Sequence, residues 1–242
     1  MFSERLIQEL KMAQKVAILT GAGISAESGV PTFRGEEGLW KKYRPEELAN
    51  FNAFIQNPKL VWEWYDYRRK LISEVMPNPG HAALTEMESL VPTFDLITQN
   101  VDGLHRKAGS QNIIELHGNI LQSRCVDCGV KSDALVMSQD DELPHCSCGG
   151  LMRPDVVWYG ETLPEEAIHA AFQSARTCDV FLSIGTSAVV HPAASLPIVA
   201  KEAGALVVEI NKESTVISHL VDESILGLSG EILPELVKAV WD

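Results

Sequence analysis

Five short apolar runs set what this chain can fold into: residues 16–19, 94–98, 180–184, 205–210 and 224–228. They are rich in β-branched residues, nearly continuous rather than alternating, and mostly followed by polar or glycine-rich turns. That is the pattern of strands buried on both faces of a parallel sheet. Helical periodicity falls between several of them, at 80–91, 164–177, 193–203 and 231–241, after an opening helix that carries Leu6, Ile7, Leu10 and Ala13 on one face. Alternation of this kind predicts an α/β fold with a doubly wound, mostly parallel, Rossmann-like sheet. Two stretches break the rhythm. Residues 33–79 read as helices around 46–54 and 58–75, and residues 119–154 carry four cysteines and an acidic loop at 138–143. Both read as insertions that build a smaller helical and zinc-binding module. The expected large lobe is therefore 1–32, 80–118 and 155–242, and the small lobe is 33–79 with 119–154.

The charge balance narrows the partners. With 20 Lys+Arg against 33 Asp+Glu, the net charge of −13 repels a nucleic acid or an anionic membrane on average. No run of about 18 apolar residues exists, and residues 1–15 lack the apolar core of a signal peptide. Cytoplasmic residence is expected. No heptad run or extended arm suggests an assembly, so a monomer is expected.

Four of the five cysteines cluster: Cys125-x-x-Cys128, then residues 129–145, then Cys146-x-Cys148. The spacing reads as a tetrahedral Cys₄ zinc site, closed and hence structural. His145 competes as a ligand. Cys178 reads as a small buried hydrophobe.

Directly after the first strand, Gly21-Ala22-Gly23-Ile24-Ser25-Ala26 fits G-x-G-x-x-G/A. The first glycine permits a tight turn, the second close approach to a pyrophosphate, and a small third residue close helix packing. The same string also fits a tight turn without a ligand. The acid expected about 20 residues on is missing, because the chain enters the loop Ser28-Gly29-Val30-Pro31-Thr32-Phe33-Arg34. A second polar strand end is Thr98-Gln99-Asn100-Val101-Asp102-Gly103-Leu104-His105, where a parallel sheet places ligands. His117, in Glu115-Leu116-His117-Gly118, sits where the sheet gives way to the cysteine module. A histidine there is either structural or, with its ordinary acidity near neutral, a general base at a cleft.

These strings, with Gly185-Thr186-Ser187, Glu209-Ile210-Asn211 and Gly230-Glu231-Ile232-Leu233-Pro234, closely resemble the sirtuin family of NAD-dependent protein deacylases, of bacterial and archaeal type. The resemblance spans about residues 16–236 and implies a single catalytic domain over 1–242. It implies that NAD is consumed. The acyl-lysine carbonyl oxygen would displace nicotinamide from the ribose C1′, His117 would deprotonate the ribose hydroxyls so that the 2′-oxygen attacks the imidate carbon, and water would then release free lysine and 2′-O-acyl-ADP-ribose. It assigns Asn100, Asp102 and His117 to catalysis. It assigns Gly21, Ala22, Gly23, Ser25, Ala26, Phe33, Arg34, Trp40, Gln99, Asn100, Val101, Asp102, Gly185, Thr186, Ser187, Asn211, Lys212, Glu213 and Ser229 to NAD. Ser229 stands where the family often has Ala, beside the adenine. It assigns Cys125, Cys128, Cys146 and Cys148 to one structural zinc. A rival use of the same NAD is protein mono-ADP-ribosylation.

Tyr65 and Arg68 stand at i,i+3 in Trp62-Glu63-Trp64-Tyr65-Asp66-Tyr67-Arg68, hence on one helix face. Either Arg68 pairs with a surface acid such as Glu63, or the phenol and guanidinium together receive a carboxylate. This Y-x-x-R, with Ala49, is similar to the sirtuin subclass that removes succinyl and malonyl groups. The acylated peptide would add as a strand between Val157-Trp158-Tyr159-Gly160 and Val189. A plain core strand is the other reading of residues 156–158.

Overall fold

Six parallel strands run in the order β3 (Ile113–Glu115), β2 (Thr93–Thr98), β1 (Lys15–Thr20), β7 (Val180–Ile184), β8 (Leu206–Asn211) and β9 (Glu223–Leu226). The computed structural model describes residues 2–32, 45–133 and 143–242. The order reverses between β1 and β7. From β1 the chain moves outward to β2 and β3, and from β7 it moves the other way to β8 and β9. That switch point is where an open α/β sheet leaves a crevice.

Alternate residues of the strands feed two cores. On one face Val16, Ile18, Leu96, Leu182 and Val208 meet α1 (Glu4–Met12), α6 (Pro79–Leu90) and α10 (Ser229–Trp241) through Leu10, Leu84, Met87, Leu233 and Leu236. On the other, Ala17, Leu19, Ile97, Phe181 and Val207 meet α8 (Glu165–Thr177) and α9 (Leu196–Glu202) through Ala171, Ala175 and Leu196. Side chains alternate across a strand, so a strand covered on both sides must be apolar throughout. Each such Leu, Ile or Val contributes about 1.5–3 kcal/mol through burial. The helix at 193–203 opens as a 3₁₀ turn, Ala193–Ser195, before α9.

The two insertions share a third core. Helices α3 (Pro45–Leu48), α4 (Phe51–Gln56) and α5 (Pro58–Glu74) pack on an antiparallel sheet of β5 (Lys131–Ser132), β4 (Gly118–Cys125) and β6 (Met152–Val156). The single helix expected at 46–54 is two, because Asn50 stops one and caps the next: its Oδ1 accepts from the Asn52 N–H at 2.8 Å. Buried Arg69 docks α5 on β4, giving Nε to the Ile120 carbonyl at 2.6 Å and Nη2 to the Gln122 carbonyl at 2.8 Å and Ser123 Oγ at 3.0 Å. Gly118 joins the two sheets with φ at 79°, and a Cβ there would lie 2.1 Å from the Asp155 carbonyl oxygen, so no other residue fits. Among the described residues no helix is long and apolar enough to cross a membrane.

Candidate active site and metal centre

The β1 and β7 ends interlock at the switch point. The Gly21 N–H donates to the Ile184 carbonyl at 3.0 Å and the Gly23 N–H to the Gly185 carbonyl at 2.8 Å. A Cβ on Gly23 would stand 2.6 Å from Gly185 Cα, and Gly185 itself has φ 60°. What the structure shows at the second glycine is thus close approach to the chain's own backbone. Ala26, expected to pack closely as the third small residue, is exposed at the end of the five-residue helix α2 (Ala22–Ala26), whereas Ile24 and Ser25 are buried.

Around this junction the sheet's carboxyl ends gather the predicted polar residues. Gln99 Nε2 donates to Thr186 Oγ1 at 3.0 Å, and Asn211 Nδ2 to the Thr186 carbonyl at 2.9 Å. Buried Asn100 gives Nδ2 to the Gly21 carbonyl at 3.0 Å and to Ser25 Oγ at 3.2 Å. Asp102 Oδ1 accepts from the Leu104 N–H at 2.9 Å. Burial raises the Asp102 carboxyl above its ordinary range, against hydrogen bonds from Leu104 and Ser25 and the pull of Arg68. Val101 is buried, and its carbonyl takes the Ile120 N–H at 2.8 Å, tying this loop to β4. Ala22 lies half-buried in α2, Ser187 is exposed, and Lys212 and Glu213 are exposed after β8.

His117 lies where the parallel sheet hands over to β4. Its Nδ1 is 2.9 Å from the Gln99 carbonyl oxygen, and its own carbonyl accepts the Val157 N–H at 2.9 Å. Desolvation by burial lowers its acidity range, with the Gln99 carbonyl opposing. The β2 strand end, the imidazole and the start of the 157–160 segment therefore converge. Phe33, Arg34 and Trp40 lie outside the described residues.

The 157–160 segment departs from a regular strand. β6 ends at Val156, and the next three N–H groups are taken within the chain: Val157 by His117, Trp158 by Glu161 Oε2 at 2.8 Å, Tyr159 by the Ala49 carbonyl at 3.0 Å. Tyr159, Gly160 and Val189 are exposed, whereas the Trp158 indole turns inward. It lies with Ala49, Phe54 and Tyr65 in the third core. The guanidinium carbon of buried Arg68 stands 4.9 Å from the Trp64 ring centroid and 5.9 Å from that of Tyr65. Burial lowers the Arg68 acidity range, while Tyr65 and Asp102 favour its charge.

Sequence reasoning missed three partners. Ser229, expected beside a nucleobase, donates its hydroxyl to Glu27 Oε1 at 2.9 Å, as does the Gly230 N–H. Buried Glu209 accepts from the hydroxyls of Thr215, Ser218 and Ser224, closing the loop that follows Asn211. Arg153 and Glu161 form a pair beneath Trp158. A signal for the last existed: charged residues inside Met152–Val156, a strand otherwise flanked by apolar sequence.

The four cysteine sulfurs all lie within 4.8 Å of one another. Cys125 and Cys148 are 3.6 Å apart, Cys128 and Cys146 3.7 Å, and Cys128 and Cys148 3.5 Å. A zinc tetrahedron with bonds near 2.3 Å has edges of about 3.8 Å, so the donor set fits a zinc ion. His145, the alternative ligand, turns Nδ1 to the Leu143 carbonyl at 2.8 Å and stands outside the cluster. When bound, zinc would hold the β4 end to the 146–151 turn and supply folding energy rather than chemistry.

A doubly wound sheet with glycine-lined strand ends at its switch point, a histidine at the seam and a four-cysteine centre defines an NAD-using enzyme with a structural zinc. The chain belongs to the Sir2 family, whose model matches residues 21–192. It is 57% identical over 86% of its length to an NAD-dependent protein deacylase of Aquifex aeolicus, covering 87% of that protein. An NAD-dependent protein deacylase of Pyrococcus furiosus is 53% identical, with 91% of each chain covered. A Sir2 homologue–NAD complex superposes with TM-score 0.93 at 45% identity, over 99% of this chain and 94% of that one. A Sir2 bound to a p53 peptide and NAD+ does so with TM-score 0.88 at 29% identity, over 98% of each.

Proposed function

We propose that this Sir2 enzyme, an NAD-dependent protein deacylase, removes succinyl and malonyl as well as acetyl groups from lysine. It works through His117 as base and through Asn100 and Asp102 around the nicotinamide ribose. NAD, when bound, supplies the electrophilic ribose carbon and the acceptor of the acyl group. The chain's part is positioning and proton transfer. Asn100, fixed by Gly21 and Ser25, cannot swing, and a weak nucleophile such as an amide oxygen depends on such fixed geometry. The Gln99 carbonyl can only accept, so Nδ1 carries the hydrogen and Nε2 is left to take a proton. The zinc centre belongs to the scaffold. The large lobe of residues 1–32, 80–118 and 155–242 carries NAD, and the small lobe carries the acyl pocket and the metal.

The acidic-acyl reading rests on one observation: Arg68 is buried beside Tyr65, in the core that also holds Ala49. A desolvated guanidinium and a phenol on one helix face suit a carboxylate better than an acetyl methyl. The inward indole of Trp158 and the occupied N–H groups at 157–159 leave the peptide to be held by other main-chain groups of this segment and by the side of Val189. The test is a panel of one lysine peptide bearing acetyl, malonyl, succinyl and longer acyl groups, with Arg68→Met alongside. Arg68→Met is expected to raise KM for the succinyl peptide about tenfold or more over its effect on acetyl, the range for a lost charge-assisted pair. Equal effects would remove the carboxylate clamp. Mass spectrometry of the products decides against protein ADP-ribosylation if acyl-ADP-ribose forms with the nicotinamide.

A further inference from the structure

Trp158 does more than fill the third core. Its indole Nε1 donates to Tyr65 Oη at 2.8 Å, and both side chains are almost fully buried. Indole N–H is a donor only. With one lone pair of the phenol oxygen so occupied, the phenol hydrogen must point away from the indole. Tyr65 is thereby held as a donor.

The indole is itself fixed from behind. The Arg153 guanidinium carbon lies 3.4 Å from the Trp158 ring centroid. Arg153 is pinned in that stack by a bidentate pair with Glu161, Nη1 to Oε1 at 2.5 Å and Nη2 to Oε2 at 2.9 Å, and by the Val156 carbonyl at 2.8 Å. Glu161 Oε2 also receives the Trp158 N–H at 2.8 Å, so one carboxylate holds both the cation above the ring and the backbone of the ring's own residue. A cation on the face draws electron density from the indole and strengthens its N–H as a donor. Arg153 stands on β6 opposite Arg124, one pair along from Met152 opposite Cys125. The stack is therefore anchored directly beside the cysteine centre.

We propose that Trp158, held by the Arg153–Glu161 pair, is a positioning residue for acyl-group specificity: it sets the phenol of Tyr65 as a hydrogen-bond donor toward a carboxylate-bearing acyl chain. This rests on the acidic-acyl reading above and names the group that gives the pocket its polarity. An acetyl group ends in a methyl and gains nothing from a donor there, whereas a succinyl or malonyl carboxylate accepts the phenol hydrogen while Arg68 supplies the charge.

Trp158→Phe keeps a ring for Arg153 and removes the N–H. It is expected to raise the ratio of succinyl KM to acetyl KM about fivefold, the scale of one ordinary hydrogen bond, because the phenol is left free to turn rather than removed. The double-mutant cycle with Tyr65→Phe separates positioning from packing. If Trp158 acts through the phenol, Trp158→Phe changes the ratio by less than about twofold once Tyr65 is Phe. Equal rises in both KM values, or effects of the two substitutions that multiply, overturn the proposal while leaving the acidic-acyl reading intact. A wild-type enzyme with no succinyl or malonyl activity removes both. Should Trp158→Phe not fold, Glu161→Gln loosens the same stack without touching the ring and is expected to shift the ratio in the same direction; an unchanged ratio in a folded Glu161→Gln protein counts against the proposal.

Discussion

The Nδ1 atom of His117 lies 2.9 Å from the main-chain carbonyl oxygen of Gln99, a residue at the end of the neighbouring strand that also reaches Thr186 through its amide. One residue thus sets the tautomer of the imidazole and touches the glycine-rich end of β7. Burial lowers the His117 acidity range below its ordinary 6.5, against the opposing Gln99 carbonyl. For the base proposed above the working form is the neutral ring, so a lowered range extends activity toward acid. The expected profile of kcat/KM is flat around pH 7, with its acid limb falling only below pH 6.5. His117→Gln should lose about 10²–10⁴ in turnover and with it the limb, while circular dichroism and zinc content stay those of the wild type. A limb centred above pH 6.5 contradicts the buried ring.

Metal removal should act on the small sheet first. Cys125 ends β4, Cys146 and Cys148 lie in the turn before β6, and among the described residues β4 and β6 pair only with each other and with the two-residue β5. The turn sits close against the cluster: a Cβ at Gly150 would stand 2.7 Å from Cys125 Sγ. Structural zinc contributes folding energy directly. Chelation is therefore expected to open the 118–156 region to protease before the parallel sheet, to reduce deacylation, and to be reversed by added Zn²⁺. Proteolysis that starts instead in the parallel sheet would contradict this order.

The parallel sheet was legible in the sequence because a strand covered on both faces cannot hide its composition: the run at 16–19 is apolar without a break, and Val180–Ile184 is broken only by Ser183. The strand-end residues were legible through their motifs, and His117 through its place between two patterns. What was not legible depends on distance along the chain. Ser229 meets Glu27 across 202 positions, and no local pattern announces such a partner. Arg153 is buried in spite of its charge because Glu161 pairs with its two terminal nitrogens, and periodicity alone assigns a charge to the surface. The inward turn of Trp158 into the third core was not legible, because β6 stops two residues earlier and the pleat with it.

Two buried imidazoles behind Asn100 give the fold an acid-sensitive stability. His81 and His105 have ring centroids 4.9 Å apart. Burial pushes His81 down to about 4, and burial together with the His81 neighbour pushes His105 down to about 3. His105 Nε2 is 2.9 Å from Thr20 Oγ1, and His81 Nδ1 accepts from the Asn78 N–H at 3.3 Å, so both rings are held neutral among hydroxyl and amide partners. In the unfolded chain both titrate near 6.5. Between that pH and their folded values the unfolded chain carries protons that the folded one refuses, so their contribution is complete above pH 6.5 and lost as the pH falls. At pH 5 the loss is roughly 2 kcal/mol for each ring, from 1.36 kcal/mol per unit. Urea unfolding at pH 7 and pH 5 checks it, with His105→Gln beside the wild type. The variant is expected to be less stable at pH 7 yet to lose roughly 2 kcal/mol less on acidification. Parallel losses in the two proteins would show that His105 takes up its proton in the folded state as readily as in the unfolded one.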